Sequence, residues 1–233
     1  MKSKIAVVGV FIIFLVVITL FIYKQLTIKN ISVIGNKNLT EEEIKNLINI
    51  KEGSSAILPF PKTIYERLKQ SAWIKEATIR KDLNGVLTIY IIEANPLAIL
   101  QIENKAYLID DQGVILEELR EISNEGVFLP VIKDIDPFKN KETLTEAINL
   151  LVFLNKNKII NSDQKIKVEG KFPEDITLYI DSFSIIVGKG DFERKFTKFR
   201  VVNEEIQKRQ LKVKYIDLRF PDRVIFKPQE ETK

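Results

Sequence analysis

The chain has 233 residues, 45% of them hydrophobic and 29% charged, with a formal net charge of +4 and neither cysteine nor histidine. This suits one or two small domains with real cores. It excludes zinc sites, thiol nucleophiles, disulfides and histidine general bases. Two of the four net positive charges belong to Lys2 and Lys4, ahead of the first apolar run. The body is near neutral with no basic stripe, so nucleic-acid binding has little electrostatic support.

The first apolar run, Ile5 to Tyr23, reads IAVVGVFIIFLVVITLFIY and carries no charge. As a helix it is long enough to cross a hydrocarbon core. A cleaved signal peptide would also start with lysines, but it would end its shorter apolar core in a small-x-small site. Here the run ends TLFIYKQL. The expectation is an uncleaved transmembrane helix at 5–23 behind a cytoplasmic tail at 1–4, with the lipid bilayer as its partner. Lys24 and Lys29 follow the run, so the positive-inside rule says little about orientation. Long domains translocate largely regardless of charge, which suits a cytoplasmic N-terminus and an exported body.

Next comes a short β-branched run, Ile31 to Ile34, closed by the turn signal Gly35-Asn36. Thr40 and Glu43 form a capping box, and Ile44, Leu47 and Ile48 give the following helix one apolar face. Glu41, Glu42 and Glu43 read as complements to the helix dipole rather than as an acid/base or metal site. After LPFP, Thr63 and Glu66 are expected to cap a second helix with Ile64 and Leu68 on its inner face. Trp73 to Glu93 then reads as a hairpin turning at Asp82-Leu83-Asn84-Gly85. Strand, helix, helix, strand, strand makes a complete small α+β domain.

The second half carries a helical stripe, Leu144, Ala147, Ile148, Leu151 and Leu154, inside Glu142 to Leu154. Strands are expected at Ile166 to Val168, Ile176 to Ile180 and Ser184 to Val187. Asp191 is expected to cap a helix whose Phe192, Phe196, Phe199, Val202 and Ile206 share a core-facing side. Gly188-Lys189-Gly190 lacks the spacing and the Lys-Ser/Thr pair of a phosphate loop; its glycines serve a strand-to-helix turn. Asp110-Asp111 and Glu117-Glu118 are adjacent pairs whose side chains point to opposite faces of a strand, so neither converges on a substrate. Asp110 also flanks a Gln-Gly turn, where aspartate bonds its own backbone. No nucleophile stands beside a plausible base. The chain reads as a binding protein, with no catalytic, cofactor or metal residues and no small-molecule substrate.

The closing stretch KYIDLRFPDRVIFK, Lys214 to Lys227, is two short apolar runs joined by a charged turn. A late strand of this kind is an edge strand, with one row of backbone groups open to a partner. Its charges either guard against aggregation or frame a site for strand addition.

Taken in order, several of these stretches resemble the FtsQ/DivIB bacterial division proteins. Gly35-Asn36, Trp73-Ile74, Arg80, and Glu93 with Pro96 and Ala98 are similar to their POTRA domain. Ala106 to Leu116, Leu129-Pro130, Gly188 to Phe199 and the closing Asp-Leu-Arg-aromatic strand are similar to their C-terminal domain. The resemblance implies an α+β architecture: a transmembrane helix, a POTRA domain at about 26–94, a mixed α/β β-domain at about 95–228 with a C-terminal edge strand, and a polar tail at 229–233. It implies a non-enzymatic scaffold at the septum of the inner membrane. Its C-terminal strand would receive FtsB (DivIC), itself paired with FtsL, and its POTRA domain could meet other divisome proteins. The implied partner-binding residues are Arg219, Phe220, Asp222, Arg223, Val224, Ile225 and Phe226. The family aromatic falls on Phe220 and the strand beyond it on Asp222 to Phe226, although Pro221-Asp222-Arg223 is a turn signal that delays the strand to Arg223. The alternative is a POTRA-bearing chaperone-like module for outer-membrane assembly or secretion, which would normally carry more repeats or a β-barrel. A cell-wall hydrolase is a more distant reading.

Overall fold

The computed structural model describes Gly9 and residues 11–19, 26–82, 84–119, 129–161, 163–181 and 183–229. Residues 11–19 are helical, and Phe11 to Ile18 are exposed apolar side chains. Residues 5–8, 10 and 20–23 of the run, the tail at 1–4 and all but the first residue of the tail at 229–233 lie outside the described residues. Among the described residues no helix is long and apolar enough to cross a membrane. The chain separates between Ala94 and Asn95 into two units, each with its own core.

The first unit runs β1 (Asn30–Ile34), α1 (Glu41–Ile48), α2 (Pro61–Leu68), β2 (Ile74–Lys81) and β3 (Val86–Glu93). The sheet order is β1-β3-β2, with β1 parallel to β3 and β2 antiparallel to it. A parallel pair needs a crossover, and the two helices supply it. Gly35 ends β1 at φ +98°, where a Cβ would stand 2.2 Å from the Ile91 carbonyl oxygen, so only glycine fits the turn.

The capping box on α1 is present: the Glu43 amide donates to Thr40 Oγ1 at 3.2 Å, and the Thr40 amide donates to the Glu43 carboxylate at 2.7 Å. The second expected box is not. Helix α2 starts at Pro61 behind an uncapped Phe60, and Thr63 and Glu66 lie inside it. Proline at the first helical position has its φ preset and needs no hydrogen bond, so the helix begins ahead of the Thr63 signal. Ile44, Ile48, Ile64, Leu68, Leu87 and Ile89 are fully buried. Each contributes about 1.5–3 kcal/mol by leaving water.

Glu93 holds the β1–α1 connection. Its carboxylate accepts from the amides of Lys37 (3.0 Å), Asn38 (2.8 Å) and Leu39 (3.1 Å), and from Asn38 Nδ2 (2.9 Å). Burial opposes ionisation, yet these four donors outweigh it and hold the carboxyl below the usual range.

The second unit runs β4 (Pro96–Ile102), β5 (Lys105–Asp110), β6 (Ile115–Leu119), β7 (Val131–Lys133), α3 (Lys141–Lys156), β8 (Ile166–Glu169), a 3-10 turn (Pro173–Asp175), β9 (Thr177–Ile180), β10 (Phe183–Ile186), α4 (Phe192–Lys208), β11 (Val213–Asp217) and β12 (Ile225–Pro228). Its mixed sheet has the order β12-β11-β10-β9-β8-β7-β4-β5-β6. The register lines up one apolar row across it: Leu100, Ile132, Val168, Leu178, Ile185, Ile216 and Phe226. Together with α3 and α4 the first six of these form the core.

Both helices bury the expected stripes. On α4, Phe196 packs at 5.5 Å from Phe153 and 5.8 Å from Phe199, so the phenylalanines are core. Asp191 does stand at the start of α4, but it is no side-chain cap. Its backbone is left-handed at φ +53°, and its carboxylate turns to an ion pair with Arg194. Asp110 behaves as its turn demands, accepting from the amides of Gln112 (2.9 Å) and Val114 (2.8 Å).

Two outcomes are expected for residues 26–94 made alone. With a separate core, they should unfold in one cooperative thermal transition by calorimetry. A carboxyl depressed in the folded state contributes stability that is complete above its unfolded pKa, about 4.3, and lost as pH falls through the folded value. Melting temperature should therefore drop below about pH 4. Glu93→Gln should reduce that slope and cost about 1–3 kcal/mol at neutral pH. Glu43, held low by the Thr40 amide and hydroxyl, should carry part of the remaining slope.

Candidate partner-binding edge

The candidate site is the outer edge of β12, and the turn before it explains how that edge is built. Strand β11 pairs in parallel with β10, and the Leu218 amide continues the pairing to the Ile186 carbonyl at 2.8 Å. Leu218 is buried, so the chain stays on the sheet to this point. Asp217 then closes a clasp with Arg219. Its carboxylate accepts from the Arg219 amide at 3.0 Å, from Nε at 3.0 Å and from Nη2 at 2.7 Å.

Asp217 is buried, which opposes its ionisation, but the hydrogen bonds and charge of Arg219 keep the carboxyl below the usual range. The Arg219 stem lies over Gly188, where a Cβ would come within 2.9 Å of Arg219 Cγ. Gly188, at φ +64°, therefore serves the clasp as well as its own turn. On the far side of the turn, Lys198 of α4 donates to the Pro221 carbonyl.

The chain returns as β12, antiparallel to β11, with Asp217 opposite Ile225, Ile216 opposite Phe226 and Tyr215 opposite Lys227. The irregularity between Val213 and Tyr215 belongs to β11, so β12 itself is regular. The Gln229 amide donates inward to the Lys212 carbonyl at 2.8 Å. Backbone groups alternate sides along a strand, so Lys227 and Ile225 also face β11, while Phe226 and Pro228 face out. Proline at position 228 agrees with this, since a strand tolerates proline where the missing N–H would point away from its neighbour. The outer row thus offers one N–H, that of Phe226.

The seven candidate residues fall into three groups. Ile225 and Phe226 lie on β12 with side chains 38% and 39% exposed. Phe220, Asp222 and Arg223 form the exposed turn, with the Arg223 guanidinium 5.7 Å from the Phe220 ring centroid, a cation–π distance. Arg219 is exposed but clasped to Asp217, and Val224 packs against the core. The strand begins at Ile225, later than either Asp222 or Arg223, because Val224 turns inward first. Sequence reasoning carried the edge strand to Lys227 but left out Pro228, the last residue of β12, and the supporting Gly188 and Lys198. Pro228 carried the available signal, since a proline ending an apolar run marks an edge.

Chemistry beyond binding finds little to work with. Among the described residues no group of three or more acidic side chains is placed to hold a metal ion. The buried carboxylates Glu93, Asp110 and Asp217 are each taken up by backbone or guanidinium donors.

A strand-helix-helix-strand-strand unit, followed by a mixed sheet that ends in the C-terminal strand β12, defines a POTRA domain joined to a second, mixed α/β domain. Comparison with known families gives the same division. The model described as POTRA domain, FtsQ-type, matches residues 26–93, and that described as cell division protein FtsQ/DivIB, C-terminal, matches residues 98–219. The cell division protein FtsQ of Geotalea daltonii is 25% identical over 209 residues, covering 86% of this chain and 75% of the relative. DivIB of Clostridium botulinum is 25% identical over 234 residues, covering 96% and 90%. FtsQ of Rickettsia bellii is 31% identical over 139 residues, covering 59% and 45%. The chain belongs to the FtsQ/DivIB family of cell division proteins and has a role in the divisome. The C-terminal family match ends at Arg219, ahead of β12.

The clasp gives a direct expectation. Asp217→Ala leaves a half-buried guanidinium and the Arg219 amide without their acceptor, and should cost about 1–3 kcal/mol by denaturant titration. Asp217→Asn, which keeps one acceptor oxygen, should cost less.

Proposed function

We propose that the chain is a non-enzymatic scaffold that receives a strand from an FtsB/DivIC-like protein on the outer edge of β12. That partner would be paired with an FtsL-like protein. The observation that carries this reading is the coincidence of two unfilled valences at Phe226. The apolar row across the sheet ends there with the ring 39% exposed, and the backbone groups of the same residue face outward. An added strand takes up both at once: main-chain bonds give affinity, and side-chain contacts give register. Phe220 and Phe226 are the aromatic anchors, with Asp222 and Arg223 at the polar rim and Arg219 and Val224 holding the turn in shape.

In the same reading, residues 5–23 anchor the chain in the cytoplasmic membrane as a single-pass helix with the N-terminus inside, and the body works outside it at the septum. The uncharged run of nineteen residues and the division family support this. The POTRA domain is left to meet other divisome proteins.

The test uses the full-length protein and the FtsB/DivIC-like protein of the same organism, with affinity and melting temperature measured together. Phe226→Ala should weaken capture roughly thirtyfold, about 2 kcal/mol, with near-normal melting. Phe226→Pro removes the one outward N–H and should abolish capture in a folded protein. Ile225→Pro removes an N–H that faces β11 and should lower the melting temperature instead. Normal capture by both Phe226 variants would move the partner site off this edge.

A further inference from the structure

A second apolar feature lies in the first unit and has no part in the edge just described. Ile57, Leu58 and Phe60 are 42%, 45% and 61% exposed in the stretch AILPFP before α2. The stretch is held in place. Ser55 Oγ accepts from the amides of Ile57 (3.2 Å) and Leu58 (3.3 Å), and Lys81 Nζ donates to the Pro59 carbonyl. Three apolar side chains are thus presented to the outside by a fixed backbone.

Their position along the chain says what they face. Residues 26–28 pair antiparallel with 53–56: the Ile28 amide donates to the Ser54 carbonyl (2.8 Å), the Ala56 amide to the Leu26 carbonyl (2.8 Å) and the Gly53 amide to the Ile28 carbonyl (2.7 Å). Because the pairing is antiparallel, the chain beyond Ala56 runs back toward the end from which Leu26 arrives. Only Lys24 and Gln25 separate Leu26 from Tyr23, the last residue of the apolar run. Three residue steps span at most about 11 Å, and the headgroup layer is itself about 5–7 Å thick on each side.

Charge points the same way. Lys81 donates its ammonium to Pro59, Lys62 follows on α2, and Lys29 and Lys51 lie beside the paired segments 26–28 and 53–56 that lead to the loop. Glu52, Asp82 and Glu66, the last 4.0 Å from Lys62, are the acids among them, so cations exceed acids by one, the sign an anionic lipid surface prefers.

We propose that Ile57, Leu58 and Phe60 seat in the interfacial layer of the membrane that residues 5–23 cross, fixing the POTRA domain against the lipid surface. This rests on the anchor reading above, and the test separates the two. The chain has no cysteine, so Leu58→Cys, Lys37→Cys and Phe14→Cys each give a single labelling site in the full-length protein. Each variant is labelled with an environment-sensitive fluorophore and reconstituted in vesicles of three parts phosphatidylcholine to one part phosphatidylglycerol. Quenching is read from nitroxides placed shallow or deep on the lipid chains.

The expected result is deep quenching at position 14, shallow quenching with a blue-shifted emission at position 58, and a water-like, unquenched probe at position 37. The shallow quenching at 58 should exceed that at 37 several-fold. Quenching at 14 with a water-like probe at 58 overturns the inference and leaves the anchor standing. A blue-shifted but unquenched probe at 58 also overturns it, because a protein surface then covers the loop. An unquenched probe at 14 removes the anchor and the inference together.

Discussion

A registered row of apolar side chains, starting at Leu100 and passing through Ile132, Val168, Leu178, Ile185 and Ile216, ties the nine-stranded sheet to the two helices over it. Six of its positions are sealed and the seventh, Phe226, is not. A sheet cannot end without leaving one strand's outer groups open. In this unit the end strands are β6 and β12, and at β12 the open edge is also where the core row runs out. Most edge strands leave only backbone groups unmet; β12 leaves backbone and apolar surface unmet at one residue.

The edge is restrained as well as offered. Strand β12 is only four residues long, Pro228 removes an outward donor, and Lys227 and Arg223 place charge beside it. These are the usual guards against uncontrolled strand pairing. The turn that delivers β12 is rigid at both ends: the Asp217–Arg219 clasp fixes its start and Lys198 holds the Pro221 carbonyl. A preformed edge lowers the ordering cost that falls on the receiving side of an association.

Much of this was legible in the residues. The α1 capping box, the β2–β3 hairpin and the apolar stripes of α3 and α4 all follow from short-range patterns, and all appear. The errors share a cause. Thr63-Glu66 and Asp191 are capping signals, but Pro61 started α2 sooner, and a left-handed backbone turned Asp191 toward Arg194. Strands β4 and β7 carried no local signal strong enough to name them, since their pairing is long-range and β7 has only three residues. The C-terminal edge strand was visible as a half-apolar, half-charged ending. Its first residue was not, because the inward turn of Val224 depends on a core assembled from the rest of the unit. Nor could spacing show that Arg219 pairs with Asp217. The Asp-Leu-Arg motif reads as a structural clasp only once Gly188 is seen beneath it.

The most direct measurement is residue-resolved amide hydrogen exchange along β12 in the free protein and in its complex with the FtsB/DivIC-like partner. Strand addition requires the Ile225 and Lys227 amides to be protected in both states. The Phe226 amide should exchange quickly in the free protein and become strongly protected in the complex. A saturated complex in which Phe226 still exchanges as it does in the free protein would contradict docking on this edge.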